Sequence, residues 1–389
     1  MQIYDNLKKN VNKNVDYYMS LVKSMYDNPE VGNEEFETME LLCNALCNLG
    51  FEVKKEFIVP TGFIGEYSSP KTGPTIAFLC EYDALPEIGH GCGHNLIAGI
   101  GIASGTALKS VIDDIGGTVL IVGTPAEENF GGKVSMAEAG VFDKVDVALM
   151  LHPSTHNSLG GKTQALNPIK FEFFGKNAHG CTPQEGKSAL DAAVLSYINI
   201  NLLRQFTKEN THIHGIFKNG GSAANVIPAY ASLEYYFRGE TMDYVQELSK
   251  KAMKCVEGAC LATETSFKSL IYECPYEDML INYELTKLLK KKYEELGLKD
   301  IEDVDETPTG STDMGSVSYK CPSLHGYIKI ADSSVNGHSK EMAQATISSQ
   351  GKAALINGAY ALSSIAVDLI CNDSLLKKVK DEFKKSTEK

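Results

Sequence analysis

Three short apolar runs constrain this chain more than any other feature, because all three end in the same kind of residue. TIAFLCEYD (75–83), TVLIVGTPAEE (118–128) and DVALMLHPS (146–154) are nearly continuous in apolar and β-branched residues, then break into acids, His and polar loops. A run that is apolar at every position is buried on both faces, as in a parallel strand. Between the first two runs lies NLIAGIGIASGTALKSV (95–111), read as a small-residue-rich helix packed closely on a sheet. KVSMAEAGVF, between the second and third, reads as another helix. Strand, helix, strand, helix, strand predicts an α/β fold: a mainly parallel-sheet catalytic domain covered by helices. Upstream, residues 15–50 carry apolar side chains at helical spacing and close on Asn48-Leu49-Gly50, a helix-end signal.

After Pro168 the rhythm changes. IKFEFFGKNAHG (169–180) alternates like a half-exposed strand, and a helix is expected from Ser188 to Phe206. THIHGIFKNGG and ASLEYYFRGE (231–240) read as strands, followed by a helix from Met242 to about Cys260 and by SFKSLIYECP. Strands flanking two helices predict an α+β domain with an antiparallel sheet. From about 278 the α/β pattern resumes, with a helix near 279–296, a strand at LHGYIKI (324–330), a long helix across 341–370 and a Lys-rich amphipathic tail from Leu375. The expected organisation is a discontinuous catalytic domain, 1–166 and 278–389, interrupted by a smaller α+β domain at 167–277.

Composition narrows the function classes. The 389 residues include 37 Lys+Arg against 50 Asp+Glu, a formal net charge of −13. Such a chain is poorly suited to neutralising phosphates, so no nucleic-acid partner is expected. No run approaches the roughly 18 consecutive apolar residues of a membrane span, and the polar start lacks an apolar signal core. No membrane partner is expected, and the location is expected to be cytoplasmic. Ten cysteines without a repeated framework read as thiols in a reducing compartment, mostly small buried hydrophobes. Cys43 and Cys47, four apart among leucines, read as helix core.

Chemistry gathers past the strand ends, where open α/β sheets bind ligands. The first run delivers Glu81-Tyr82-Asp83 and then Gly89-His90-Gly91-Cys92-Gly93-His94-Asn95, the second Glu127-Glu128, and the third His152. In an extended segment, residues two apart project to one side, so Cys92 and His94 can reach one cation. The bland alternative is a Gly-rich turn with an incidental Cys. Glu127 and Glu128 repel unless a positive charge lies beside them. A divalent ion would leave one as ligand and the other as general base; a solvated acidic pair at a helix start is the structural alternative. His152 and His338 are ambiguous singly, each also readable as a loop or helix-start His.

Together these stretches resemble the metal-dependent aminoacylase/carboxypeptidase amidohydrolases. The branch they look most like holds hippurate and auxin-conjugate hydrolases, aminobenzoyl-glutamate hydrolase and β-alanyl-lysine dipeptidase. CEYDALPEIGHGCGHNL (80–96), GTPAEE (123–128), LHP (151–153), GKNAHGCTPQEGKSALDA (175–192), NVIP (225–228), STDMG (311–315) and GHS (337–339) occur in the family order. The resemblance implies two divalent metal ions per subunit (zinc or manganese, with cobalt an option). It implies the ligands Cys92, His94, Glu128, His152 and His338, with Glu127 as general base and Asp83 orienting a ligand. Glu81 stands where the wider family has a His, and Asn95 where much of the branch has an Asp. The inserted domain is implied to be a lid that also makes a homodimer, with His179 steadying the tetrahedral intermediate and Asn225 and Arg238 holding a substrate carboxylate.

The function so implied is hydrolysis of the amide bond of N-acyl amino acids, aminobenzoyl-glutamate-like conjugates or dipeptides by metal-activated water. Two rivals stand beside it. A Cys-dependent hydrolase would use Cys92 with His94 and leave the other candidates unemployed; a non-catalytic metal- or small-molecule-binding protein would keep only the fold. GIGIASG (99–105) lacks the spacing of a dinucleotide loop.

Overall fold

The apolar runs become strands, but each strand stops before its polar residues begin. The computed structural model describes residues 2–388. Strands and helices are numbered here in chain order through the whole chain. Two compact units divide it: one holds the chain up to Lys162, Met279–Thr307 and the chain from Thr312, and the other holds Thr163–Asp278 with Pro308–Ser311.

The first unit is built on an eight-stranded sheet. Its strands are β1 (Glu52–Lys55), β2 (Phe63–Ser68), β3 (Thr75–Cys80), β4 (Thr118–Gly123), β5 (Val147–Ser154), β6 (Asn157–Ser158), β13 (Ile301–Glu302) and β14 (Ser323–Lys329). They lie in the order β1-β2-β4-β3-β5-β14-β6-β13. The middle four, β4-β3-β5-β14, run parallel, with Cys80 opposite Gly123 and His152 opposite Tyr327. Antiparallel pairing occurs towards the edges, where β2 meets β4, β1 meets β2 and β6 touches β14.

Alternation along the middle strands shows why the runs are apolar throughout. Ile76, Phe78, Cys80, Ile121, Leu149 and Leu151 face one core, shared with α1 (Gln2–Asp27), α2 (Phe36–Asn48), α3 (His94–Ile115), α7 (Tyr283–Glu295), α10 (Ser349–Ile370) and α11 (Asp373–Thr387). Their neighbours Ala77, Leu79, Val122, Ala148 and Met150 face a second core, closed by α4 (Gly132–Glu138) and α8 (Met314–Ser318). Both faces are covered, so no position alternates to polar. Close approach of α3 to the sheet depends on its glycines: a Cβ on Gly101 would lie 2.5 Å from Cys80 Sγ, and one on Gly105 2.5 Å from Ile121 Cδ1.

Two sequence expectations need correction. The helical stretch 15–50 is two helices, α1 and α2, interrupted at Asn28–Glu35, where Pro29 cannot donate to a continuing helix. The long helix 341–370 is also two, α9 (Lys340–Thr346) and α10. Each begins at its own serine cap, Ser339 Oγ accepting from Met342 N and Ser348 Oγ from Gly351 N, both at 3.1 Å. The helices α3 and α10 are each 22 residues long and apolar enough to match a membrane span by length and composition, although no uninterrupted apolar run occurs in either. Both are largely buried within the protein. Of the two helical cysteines on α2, Cys43 is buried and Cys47 exposed.

The second unit carries a four-stranded antiparallel sheet in the order β12-β7-β11-β9, built of β7 (Ala165–Phe174), β9 (His212–Asn219), β11 (Tyr230–Gly239) and β12 (Ser266–Ile271). A two-stranded ribbon pairs β8 (Ala178–His179) with β10 (Val226–Ile227). Ile169, Phe171, Phe173, Leu233, Tyr235 and Phe237 point to one face, which α5 (Ala189–Leu203) and α6 (Met242–Thr263) cover. Lys170, Glu172 and Glu234 alternate with them on the other face and pair there.

Candidate metal centre

Four segments of the first unit bring the predicted ligands together at the carboxyl ends of the parallel strands. Past β3 the chain runs through Asp83 to the loop that opens α3; past β4 it makes the turn carrying Glu127 and Glu128; His152 lies near the end of β5. His338 arrives from the segment before α9, its backbone N donating to Gly91 O at 3.1 Å. Gly93 makes the tight entry into α3 with φ +91°, and a Cβ there would sit 3.0 Å from Pro153, next to His152.

The donor atoms converge. Cys92, His94 and His152 each place a ligand atom within 4.8 Å of the others; so do Cys92, Glu128 and His338, and so do His94, Glu127 and Glu128. Cys92 Sγ is 3.5 Å from His152 Nε2, and Glu128 Oε1 is 3.9 Å from His94 Nε2 and 3.7 Å from His338 Nε2.

Hydrogen bonds behind these atoms fix which lone pairs face inward. His94 Nδ1 donates to Asp83, 2.9 Å from its Oδ1 and 3.0 Å from its carbonyl oxygen, so the lone pair belongs to Nε2, which is buried without a hydrogen-bond partner. Asp83 Oδ2 accepts from Glu128 N at 3.0 Å, so one carboxylate orients two candidate ligands. His152 Nδ1 donates to Pro153 O at 2.7 Å, again presenting Nε2 inward.

Electrostatics ask for positive charge at the same place. Burial works against a charged His94, yet Cys92, Asp83 and Glu81 together hold its pKa well above the ordinary imidazole value. Burial takes His152 down to about 4, which keeps it neutral and able to ligate. Glu127 is pushed well above the ordinary carboxylate value by burial and then by Glu81 and Asp313, the direction a proton acceptor near neutrality needs. A thiol, three imidazoles and a carboxylate, with the lone pairs of His94 and His152 aimed inward, fit a divalent transition metal. They do not fit a thiol nucleophile: burial raises Cys92 to about 12, opposite to the shift a reactive thiolate requires.

Lys133, Asp313, Glu35 and His325 of this centre were not assigned from sequence. Lys133, wholly buried in α4, lies 2.6 Å from both Glu81 Oε1 and Asp313 Oδ1. Glu81, which also sits 3.3 Å from His94 Nε2, is pulled down to about 2, the pull of Lys133 and the nearby histidines outweighing burial. Asp313 lies in the quoted STDMG stretch but had no role; a buried acid there called for a partner, and GGK beside the PAEE turn held one. Glu35 at the start of α2 accepts from Ala126 N at 2.9 Å and from the Thr61 hydroxyl at 2.7 Å. Ala126, immediately before Glu127, is left-handed with φ +59°. His325 packs 5.9 Å, ring to ring, from His152. Neither contact is visible in one dimension. Asn95, by contrast, has a structural place, donating to Val22 O and Thr346 Oγ1.

In the second unit, His179 and Asn225 are neighbours across the β8–β10 ribbon, Gly180 N donating to Asn225 O at 2.7 Å. Both are exposed. Arg238, half-buried on β11, donates to Ser311 Oγ at 2.7 Å and stacks over Tyr236.

Residues 77–366 match the profile of Peptidase family M20/M25/M40. The chain belongs to this family. Among M20 relatives, the mouse Xaa-Arg dipeptidase is 38% identical over 94% of this chain and 88% of its own length. A p-aminobenzoyl-glutamate hydrolase chain from Escherichia coli is 35% identical over 68% of this chain and 59% of its own. In fold, the chain matches a putative aminohydrolase from methicillin-resistant Staphylococcus aureus, with TM-score 0.77 and 20% identity over 94% of this chain and 99% of the other. A dinuclear metal-binding M20 peptidase from Bacillus subtilis matches with TM-score 0.64 and 18% identity over 92% and 99%. This M20 protein is thus a metal-dependent hydrolase of amide bonds, with the α/β fold and helix-covered, mainly parallel sheet of its family.

Proposed function

We propose that the protein is a dipeptidase that releases a basic C-terminal residue, using two divalent ions held by Cys92, His94, Glu128, His152 and His338. The observation that carries the reading is that two donor groups, Cys92–His94–His152 and Cys92–Glu128–His338, share one thiol while Glu127 stands beside them. When bound, the ions would polarise the scissile carbonyl and lower the pKa of the attacking water. Glu127 takes the proton of that water and delivers it to the departing amine, while Asp83 keeps His94 and Glu128 aimed. A thiol ligand favours zinc, and the surrounding imidazole and carboxylate donors also suit manganese or cobalt.

From the second unit, His179 is assigned as oxyanion donor. Its Nδ1 accepts from Cys181 N at 3.1 Å, so the ring proton sits on Nε2, available to an anion. Asn225 and Arg238 are assigned to the substrate carboxylate, a task suited to the planar guanidinium. The substrate class rests on the Xaa-Arg dipeptidases of mouse and human, which match this chain over 94% of its length at 38% and 35% identity. We also assign the protein to a homodimer, supported by an apolar stripe on α5 (Val194, Leu195, Ile198, Leu202) and by exposed Ile216 and Phe217 on edge strand β9. Ten cysteines spread through the chain without a repeated framework support a reducing, cytoplasmic setting.

The deciding experiment offers metal-loaded protein a panel of Xaa-Arg, Xaa-Lys and Xaa-Glu dipeptides, N-acyl amino acids and aminobenzoyl-glutamate. Highest kcat/KM on Xaa-Arg or Xaa-Lys, abolished by chelator and restored by metal, is the expected result. A preference for aminobenzoyl-glutamate would overturn the substrate class, and chelator-resistant turnover the mechanism.

A further inference from the structure

Beside the donor set lies a second acidic cluster that already contains a cation of the protein's own. Oxygens of Glu81, Glu127 and Asp313 all lie within 4.8 Å of one another, the spacing of a metal site. Lys133 Nζ pairs with two of them, at 2.6 Å from Glu81 Oε1 and 2.6 Å from Asp313 Oδ1. The lysine is locked there: its backbone N donates to Asp313 Oδ2 at 3.0 Å, and its side chain is fully buried. So dry a position normally strips a lysine of its proton. Here Asp313, Glu81 and Glu127 outweigh burial and hold the ammonium above its ordinary value.

We propose that Lys133 is a positioning residue that acts as a fixed, protein-borne cation of the active site. It engages one oxygen of Glu81 and fills the acidic cluster so that no further divalent ion recruits Glu127 as a ligand. The proposal rests on Glu127 being the base, but its central readout, the number of ions bound, does not.

The geometry makes the consequence of losing the charge specific. Removing the ammonium leaves three carboxylates facing one another in a buried pocket, an arrangement stable only if protonated or filled by a cation. With Mn²⁺ in excess, Lys133→Met is expected to bind more metal than the wild type, by elemental analysis after gel filtration. Its kcat should fall about 100-fold with KM changed by less than about threefold. Adding Glu81→Gln to Lys133→Met removes the opposing charge, and is expected to return the metal count to that of the wild type and recover about tenfold in kcat.

A Lys133→Met protein with wild-type metal content and kcat within about threefold of wild type would overturn the proposal. So would a double variant no better than the single one. If Lys133→Met does not fold, the charge-balanced pair carries the test: it must fold and bind metal at the wild-type ratio, and failure at either point overturns the proposal equally. Turnover retained by Glu127→Gln would instead remove the base while leaving the metal count of Lys133→Met to be judged alone.

Discussion

At the scale of single residues, a side chain's chemistry here is set by its second partner. His94 is a ligand candidate because Asp83 takes its other nitrogen, and Glu128 because the same Asp83 holds its backbone. Glu127→Gln preserves shape and removes the proton acceptor; kcat should fall about 10³-fold with metal content unchanged, measured by steady-state rates beside elemental analysis. Ala126, left-handed at φ +59°, carries strain of about 1–2 kcal/mol. Ala126→Gly should therefore leave the unfolding midpoint unchanged or higher while lowering kcat, because the turn that aims Glu127 loosens. Glu35, which holds that turn, is pushed by burial from 4.5 up to about 7. Since its folded value is the higher, the native chain binds the extra proton between these two values, and stability falls as pH rises through that window. The effect is about 3 kcal/mol, and Glu35→Gln should flatten the corresponding slope in urea midpoints taken across that range.

Among elements, strand ends and helix starts do the positioning. The run TIAFLCEYD showed the buried strand, but not that pairing stops at Cys80 so that Glu81 and Asp83 can turn toward His94. Likewise 341–370 has helical periodicity throughout, and the break before Ser348 shows only in a serine whose hydroxyl caps the next helix. Gly101 links packing to the site: with 2.5 Å to Cys80 Sγ, Gly101→Ala forces α3 off the end of β3. A loss of about 1–3 kcal/mol in denaturant unfolding is expected, together with weaker metal binding by competition with a chromophoric chelator.

For the whole molecule, metal and assembly are the levers. Ions that bind only the folded chain stabilise it by mass action, about 4 kcal/mol at a thousandfold excess over Kd. Stripping the protein should lower its calorimetric unfolding temperature, and returning Zn²⁺ or Mn²⁺ should restore it. Sedimentation is expected to give a dimer, and Ile198→Asp, placed in the exposed stripe of α5, a monomer. A dimer unaffected by that change would move the interface elsewhere.

Local chemistry is written locally, which is why the sequence by itself determined the apolar strands, the change of rhythm after Pro168 and the types of the candidate ligands: burial on two faces, alternation on one, and Cys, His and Glu placed just past strand ends all leave marks within a few residues. Tertiary structure alone decided which nitrogen of His94 and of His152 faces inward, that Glu81 answers to Lys133, and that Glu35 braces the turn before Glu127. Those last two facts, and the pairing of Lys133 with Asp313, depend on residues 52, 91 and 180 positions apart meeting within hydrogen-bond distance. No pattern along one segment can encode such a meeting, because only the folded sheet brings the segments to one edge.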